Sequence, residues 1–166
     1  FPTAPSWHDE EASGRAWQDG GMRENEYTIV EDVVGPGEAG DRHHLVDYQT
    51  QELVSRLWTI YLARMRETCA PTTVVQAMRA ASYRLDNEAF AGDALQRGIR
   101  MEGRSTRSCT LAVGLWHAST GAMVHQGEIV TVFIDLGTGA VPIPDDWWAA
   151  VERLEGKTFE VAGRSG

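Results

Sequence analysis

Between Glu38 and Glu52 the chain gathers acids and imidazoles in an order suited to acyl chemistry: Glu38, Asp41, His43, His44, Asp47 and Glu52. A carboxylate held beside a carbonyl carbon can activate water or attack that carbon itself, and an imidazole can orient the acid. The segment leads into a predicted helix, whose first backbone N–H groups lack intrahelical partners and carry partial positive charge. Such donors can polarise a carbonyl oxygen. Each residue also has an ordinary reading: loop acids at Glu38 and Asp41, surface histidines, a helix cap at Asp47, a solvated helix acid at Glu52. Adjacent side chains diverge, so at most one of His43 and His44 faces a shared pocket. Their spacing is not that of metal ligands on a helix and no third ligand accompanies them, so the sequence points to no metal site.

A second group is basic. Arg97, Arg100, Arg104 and Arg107 are concentrated in a chain whose formal net charge is −9. Guanidinium forks suit phosphates, and an anionic ligand would need such a local cluster against the overall field. A strand edge charged against aggregation is the ordinary alternative.

The elements that must position these groups follow from periodicity. Residues 1–25, with Pro2, Pro5, Gly20 and Gly21 and no apolar period, read as an N-terminal arm, partly disordered unless Trp7 and Trp17 dock. Residues 26–166 read as one domain with a short C-terminal helix. Tyr27 to Val34 is a predicted strand, closed by Gly35-Pro36-Gly37. Asp47 is the expected N-cap of a long helix whose apolar stripe runs through Val54, Trp58, Tyr61, Leu62 and Met65. Leu53, Leu57 and Ile60 widen that stripe, which suits a helix wrapped by other elements, and Pro71 is the expected stop. The period then changes to two. Thr73 to Leu85 places Val75, Ala77, Ala81, Tyr83 and Leu85 on one parity. Leu95 to Met101 follows, broken at Glu102-Gly103, then Arg107 to His117, and Met123 to Asp135 after the turn Ser119-Thr120-Gly121. Trp147 to Leu154 is a short amphipathic helix. A buried helix and an antiparallel sheet cover each other's apolar faces. The sheet's second face needs a cover too, so a homodimer or homotetramer is expected.

This order resembles the hotdog-fold thioesterases, in particular the 4-hydroxybenzoyl-CoA thioesterase-like family, from about Tyr27 to Leu154. The resemblance is carried by Gly40-Asp41-Arg42-His43-His44 before the helix, with Glu52 where family members often have a helix glutamate. It is carried further by Gly92-Asp93, by Arg107-Ser108, and by Thr120 to Gly127 with Val130 to Asp135 and Val141-Pro142-Ile143-Pro144. The resemblance implies an α+β hotdog fold, a long antiparallel β-sheet wrapped around a central α-helix. It implies hydrolysis of an acyl-CoA or acyl-carrier-protein thioester, with Glu38, Asp41 or Glu52 as base or nucleophile. His43 or His44 would contact substrate or orient the acid, and the helix start would supply oxyanion donors. Arg100, Arg104, Arg107 and Ser108 would hold coenzyme A, which is part of the substrate, so no further cofactor is expected. One departure stands out. Aligned on Gly40, the family's catalytic aspartate falls at Gly37, with Glu38 one residue away and Asp41 replacing the usual histidine. A hotdog hydratase or dehydratase, or a protein that binds an acyl-CoA-type ligand without hydrolysing it, are the alternatives.

Length and composition set the outer bounds. At 166 residues, 42% hydrophobic, the chain can bury a core of its own. Its acidic balance argues against nucleic acid or an anionic membrane surface as partner. No apolar run reaches the roughly 20 residues of a membrane span. Cys69 and Cys109, forty residues apart, support no disulfide framework, and a cytoplasmic setting with reduced thiols is expected.

Overall fold

The computed structural model describes residues 23–37, 44–68 and 74–162. A 3-10 turn at Arg23–Glu26 precedes β1 (Ile29–Val34), α1 (Asp47–Arg66), β2 (Val74–Leu85), β3 (Ala94–Arg104), β4 (Ser108–His117), β5 (Met123–Asp135), β6 (Gly139–Val141) and α2 (Asp145–Glu155). The sheet is ordered β1-β3-β4-β5-β2, every ladder is antiparallel, and β6 extends β5. The long helix lies against one face of this sheet, which is the hotdog arrangement. No described helix is long and apolar enough to cross a membrane.

α1 runs twenty residues without glycine or proline, and Arg64 and Arg66 in its last turn complement the helix dipole. Its buried row is Thr50, Val54, Leu57, Tyr61 and Met65, spaced four, three, four and four. Opposite it, the sheet presents Leu95, Ile99 and Met101 from β3, Leu111, Val113 and Leu115 from β4, and Ile129 and Phe133 from β5, all buried. Each such aliphatic side chain contributes about 1.5–3 kcal/mol by leaving water, so this layer dominates the stability of the fold. α2 closes one end, its Trp147 packed edge-on against Phe133 at 4.8 Å.

Four expectations need correction. The N-cap of α1 is Val46, not Asp47. Gln49 reaches back to the Val46 N–H at 3.1 Å, and Asp47, the first helical residue, accepts from the Tyr48 N–H at 2.8 Å. The helix ends at Arg66, before the stop expected at Pro71, which lies outside the described residues. β2 does not keep one parity, because the register skips Arg79 between Met78 and Ala80. That bulge puts Gln76 and Met78 on the helix-facing side with Ala81, Tyr83 and Leu85, and turns Val75 and Ala77 to the outer face. β3 does not stop at Glu102-Gly103: a bulge between Met101 and Gly103 carries the strand on to Arg104.

Tyr27 lies outside β1. Its ring crosses the outer face of the sheet, stacked on Trp116 at 5.2 Å and capped by Arg100 at 5.2 Å. Two glycines make room for it: a Cβ at Gly98 would sit 2.5 Å from the ring, and one at Gly114 would sit 2.4 Å from its hydroxyl. Part of the second sheet face is therefore covered from within the chain.

Candidate functional site

The loops at one end of the sheet converge on the start of α1. Gly35 donates to the Asp93 carbonyl and Gly92 to the Gly35 carbonyl, both at 2.9 Å, while Leu45 donates to Ala89 at 2.8 Å. His44 bridges Phe90 and packs edge-on against its ring. These bonds pin Gly35 and His44, on either side of the 38–43 segment, to the loop after β2.

A cavity of about 190 Å³ opens at this junction. His44, Asp47, Thr50, Asp86 and Glu88 give it polar groups, and Leu45, Leu85 and Val124 give it apolar walls. The His44 imidazole meets Glu88 at 3.1 Å, in an exposed contact that adds little to stability. Above it sits the first turn of α1. Gln49 and Thr50 N–H groups bond the Val46 carbonyl at 3.0 and 3.3 Å. The Tyr48 N–H is held by the exposed carboxylate of Asp47. The Asp47 N–H has no partner among the described residues. Backbone donors of this first turn are where an incoming carbonyl oxygen would be polarised.

Beneath the cavity lies a polar pair that the sequence does not advertise. Thr50 and His125 are 3% and 2% exposed, and His125 Nδ1 is 2.9 Å from Thr50 Oγ1. Thr50 Oγ1 donates to the Asp47 carbonyl at 2.9 Å. A hydroxyl has a single proton, so with that proton on Asp47 the bond to His125 is donated by Nδ1–H. Nε2 is then a bare lone pair, with no hydrogen-bond partner among the described residues. An unpartnered buried polar atom costs about 1–3 kcal/mol, which marks the position for explanation. Burial holds this imidazole below its usual pKa, opposed weakly by Asp86. Tyr83 packs edge-on against the ring at 4.8 Å and brings its hydroxyl within 3.5 Å of Ser55 on α1.

Of the residues expected to form the site, Glu38, Asp41 and His43 lie outside the described residues. His44 is in the cavity wall. Glu52 points to solvent from the exposed side of α1 and pairs with Arg56 at 2.6 Å. Arg104, Arg107 and Ser108 lie at the opposite end of the sheet, where Arg104 pairs with Cys109 and Ser108 with Val132, while Arg100 stands midway along β3 opposite Ala112. From Leu95, beside the helix start, to Arg104 is nine residues, or roughly 30 Å of strand. Within one subunit only Arg97 of the basic group reaches α1, donating to the Leu53 carbonyl at 2.8 Å and pairing with Glu31. Arg100 is held by Glu102, the Glu26 carbonyl and the Tyr27 ring. Arg104 stacks on Trp148 at 4.6 Å, Ser108 bonds Ser105 at 2.7 Å, and Arg107 is exposed.

Gly37, aligned with the family's aspartate, has φ 113°, and a Cβ there would lie 2.9 Å from that of Ala91. Any side chain at this position would be strained, so the absent aspartate belongs to the backbone path as well as to the residue choice.

No family model and no curated protein sequence matches the chain. Solved structures do. A Thermus thermophilus thioesterase complexed with coenzyme A and Zn is 17% identical, with 80% of this chain and 98% of that one covered and a TM-score of 0.62. A 1,4-dihydroxy-2-naphthoyl-CoA thioesterase from Synechocystis is 14% identical, with 74% and 93% covered and a TM-score of 0.59. A Staphylococcus aureus protein in complex with CoA is 12% identical, with 82% and 89% covered and a TM-score of 0.64. At these identities the likeness speaks for architecture, and together with the strand order and the central helix it establishes that the chain has the hotdog fold.

Proposed function

We propose that the chain hydrolyses an acyl thioester, of coenzyme A or of an acyl carrier, to the free acid and thiol. A fold alone does not carry an activity. What supports this reading is the cavity at the start of α1, where the first turn of the helix and the carboxylates of Asp47, Asp86 and Glu88 line one small volume. The thioester oxygen would take the helix-start donors, and Glu38 or Asp41 would activate water or attack the carbon; Glu52 could do so only by leaving Arg56 and the solvent-facing side of α1. Coenzyme A in two of the structural neighbours favours an acyl-CoA.

The arginine group enters through a second subunit. β2 is an edge strand of twelve residues. Antiparallel pairing of two such edges would set one subunit's helix start beside its partner's far sheet end. Arg107, with Ser108, would then face the phosphates of a coenzyme A bound to the neighbouring subunit. Arg100 and Arg104 would first have to leave their present partners.

Gly37 favours a second reading, a hotdog protein that binds the same ligand without turning it over. Thiol release from short, medium, long and aromatic acyl-CoAs separates the two, run on wild type, Glu38→Gln, Asp41→Asn and Glu52→Gln. One substitution is expected to lower kcat at least a hundredfold at unchanged melting temperature, as loss of a general base does. Tight acyl-CoA binding with no thiol release from any substrate would leave the binding protein standing.

A further inference from the structure

The outer face of the sheet carries an apolar stripe along its β5–β2 side. β5 turns Val130, Val132 and Ile134 to that face, opposite Ala80, Ala77 and Val75 of β2. Val75 is 45% exposed and Ala80 is exposed, while the other four are half-buried. An antiparallel sheet with one face in water places polar residues on that face. Here polar residues return only toward the helix-start end, in the pairs Ser82–Glu128 and Arg84–Gln126. Three successive outward pairs made of alanine, valine and isoleucine read as a face that something covers.

The chain itself arrives at the head of this stripe. Arg23 donates to the Gly121 carbonyl and shares a shallow hollow of about 320 Å³ with the outward pair Arg84 and Gln126. Four residues later Tyr27 already lays its ring on the same face, in the slot that Gly98 and Gly114 clear. Residues 1–22 precede Arg23 and include Trp7, Trp17 and Met22. Along β5 from Gln126, Val130 is about 13 Å away and Ile134 about 27 Å. Extended chain at roughly 3.3 Å per residue carries Trp17 up to about 20 Å from Arg23, and Trp7 up to about 53 Å. The low floor at Ala77 and Ala80, beside the taller Val130 and Val132, suits a flat indole.

We propose that residues 1–22 dock on this stripe, Trp17 over Ala80 and Val130 and the residues before it along Val132, Ile134 and Val75. The arm continues what Tyr27 begins, and the outer face is closed from within the chain. Docking is independent of the reaction catalysed, and it leaves the β2 edge, not the sheet face, as the surface open to a second copy.

Thiol labelling of the full chain tests the assignment. Ala80→Cys sits under the proposed arm, and Leu136→Cys, at a position 84% exposed, is the open control. A maleimide reagent is applied to each, and peptide mass reads the new site apart from Cys69 and Cys109. Ala80→Cys is expected to label at least about tenfold more slowly than Leu136→Cys, because the reagent must wait for the arm to lift. Adding Trp7→Ser and Trp17→Ser to Ala80→Cys is expected to bring its rate within about twofold of the control, at unchanged protein concentration. Ala80→Cys labelling as fast as Leu136→Cys overturns the proposal. Slow labelling that the tryptophan substitutions leave unchanged overturns it too. If that protection weakens on dilution while light scattering shows a smaller mass, a second copy is the cover instead. Should Ala80→Cys not fold, Val75→Cys at the far end of the stripe takes its place, read by the same outcomes.

Discussion

A buried imidazole couples stability to pH. Burial disfavours the charged form of His125 in the folded chain, so its folded pKa lies below the unfolded value of about 6.5. The contribution of the neutral form is complete above that unfolded value and is lost as pH falls through it toward the folded one. The melting temperature of wild type should therefore drop more steeply between pH 7 and pH 5 than that of His125→Asn, which has nothing to protonate there. Parallel curves in thermal denaturation would remove His125 from the acid sensitivity of the fold. Neither Thr50 nor His125 declares itself in the sequence. Thr50 is a polar residue on the row Val54, Leu57, Tyr61 and Met65, and His125 lies among strand residues that alternate with the core. A polar side chain on a buried row is a signal, but only its cross-element partner gives it meaning, and Thr50 and His125 are 75 residues apart. His44 could be named from sequence because it stands just before the helix, and it lies in the cavity wall. The arginine group was legible as a cluster, yet its distance from the helix start depends on strand register, which periodicity does not set.

At the scale of elements, α1, α2 and β3 are tied together by one carboxylate. Glu155, at the end of α2, accepts from Tyr61 on α1 at 2.6 Å, from the Met101 N–H at 2.8 Å, and from the Thr28 hydroxyl. Tyr61 is fully buried, and burial together with this hydrogen bond raises its pKa far above the ordinary value, so the phenol stays a donor at every working pH. Hydrogen bonds to a charged acceptor are each worth about 1.5–3 kcal/mol, and Glu155→Ala would strand the Tyr61 hydroxyl and the Met101 N–H together. Its expected cost is about 3 kcal/mol, or roughly 6–12 °C in Tm, with Tyr61→Phe costing about 1 kcal/mol because Glu155 keeps its other donors. Equal melting temperatures for Glu155→Ala and wild type would show that α2 is held by Trp147, Trp148 and Val151 alone. The helices and long strands were legible because their periods run for ten residues or more. The bulges at Arg79 and after Met101 were not, since one extra residue reverses parity without changing composition. Val75 and Ala77 match Ala81 and Tyr83 in count, and only the skipped residue between them puts the pairs on opposite faces. The helix start was misplaced by one residue for a related reason: Asp47 is a good cap by type, but its carboxylate serves the adjacent N–H as the first residue of the helix.

At the scale of the whole molecule, the unfinished feature is the β2 edge. Tyr27 covers part of the outer sheet face, so that face is a weaker reason for association than the sequence suggests. The edge is the stronger one. Twelve residues of strand end the sheet there, and on its helix-facing side Met78 and Leu85 are 39% and 54% exposed. A long strand edge with apolar side chains invites pairing, and self-pairing about a twofold axis closes it without leaving a new edge. A stable interface of this kind buries about 1,600 Å² in total, more than the edge alone, so the flank of α1 would have to join it. The same twofold would set the helix start of one subunit near Arg107 of its partner, which joins assembly to activity. Wild type is therefore expected to elute as a dimer, or as a tetramer built from dimers, by light scattering. Met78→Lys places a charge on the helix-facing side of the edge and is expected to give a monomer with native circular dichroism. Thiol release should fall with the dimer fraction, and raising protein concentration should recover both together. A monomeric wild type, or a Met78→Lys monomer with undiminished turnover, would confine the site to one subunit. Arg107 would then lose its place in ligand binding, and the thiol's phosphates would have to be met at the helix-start end of the same chain.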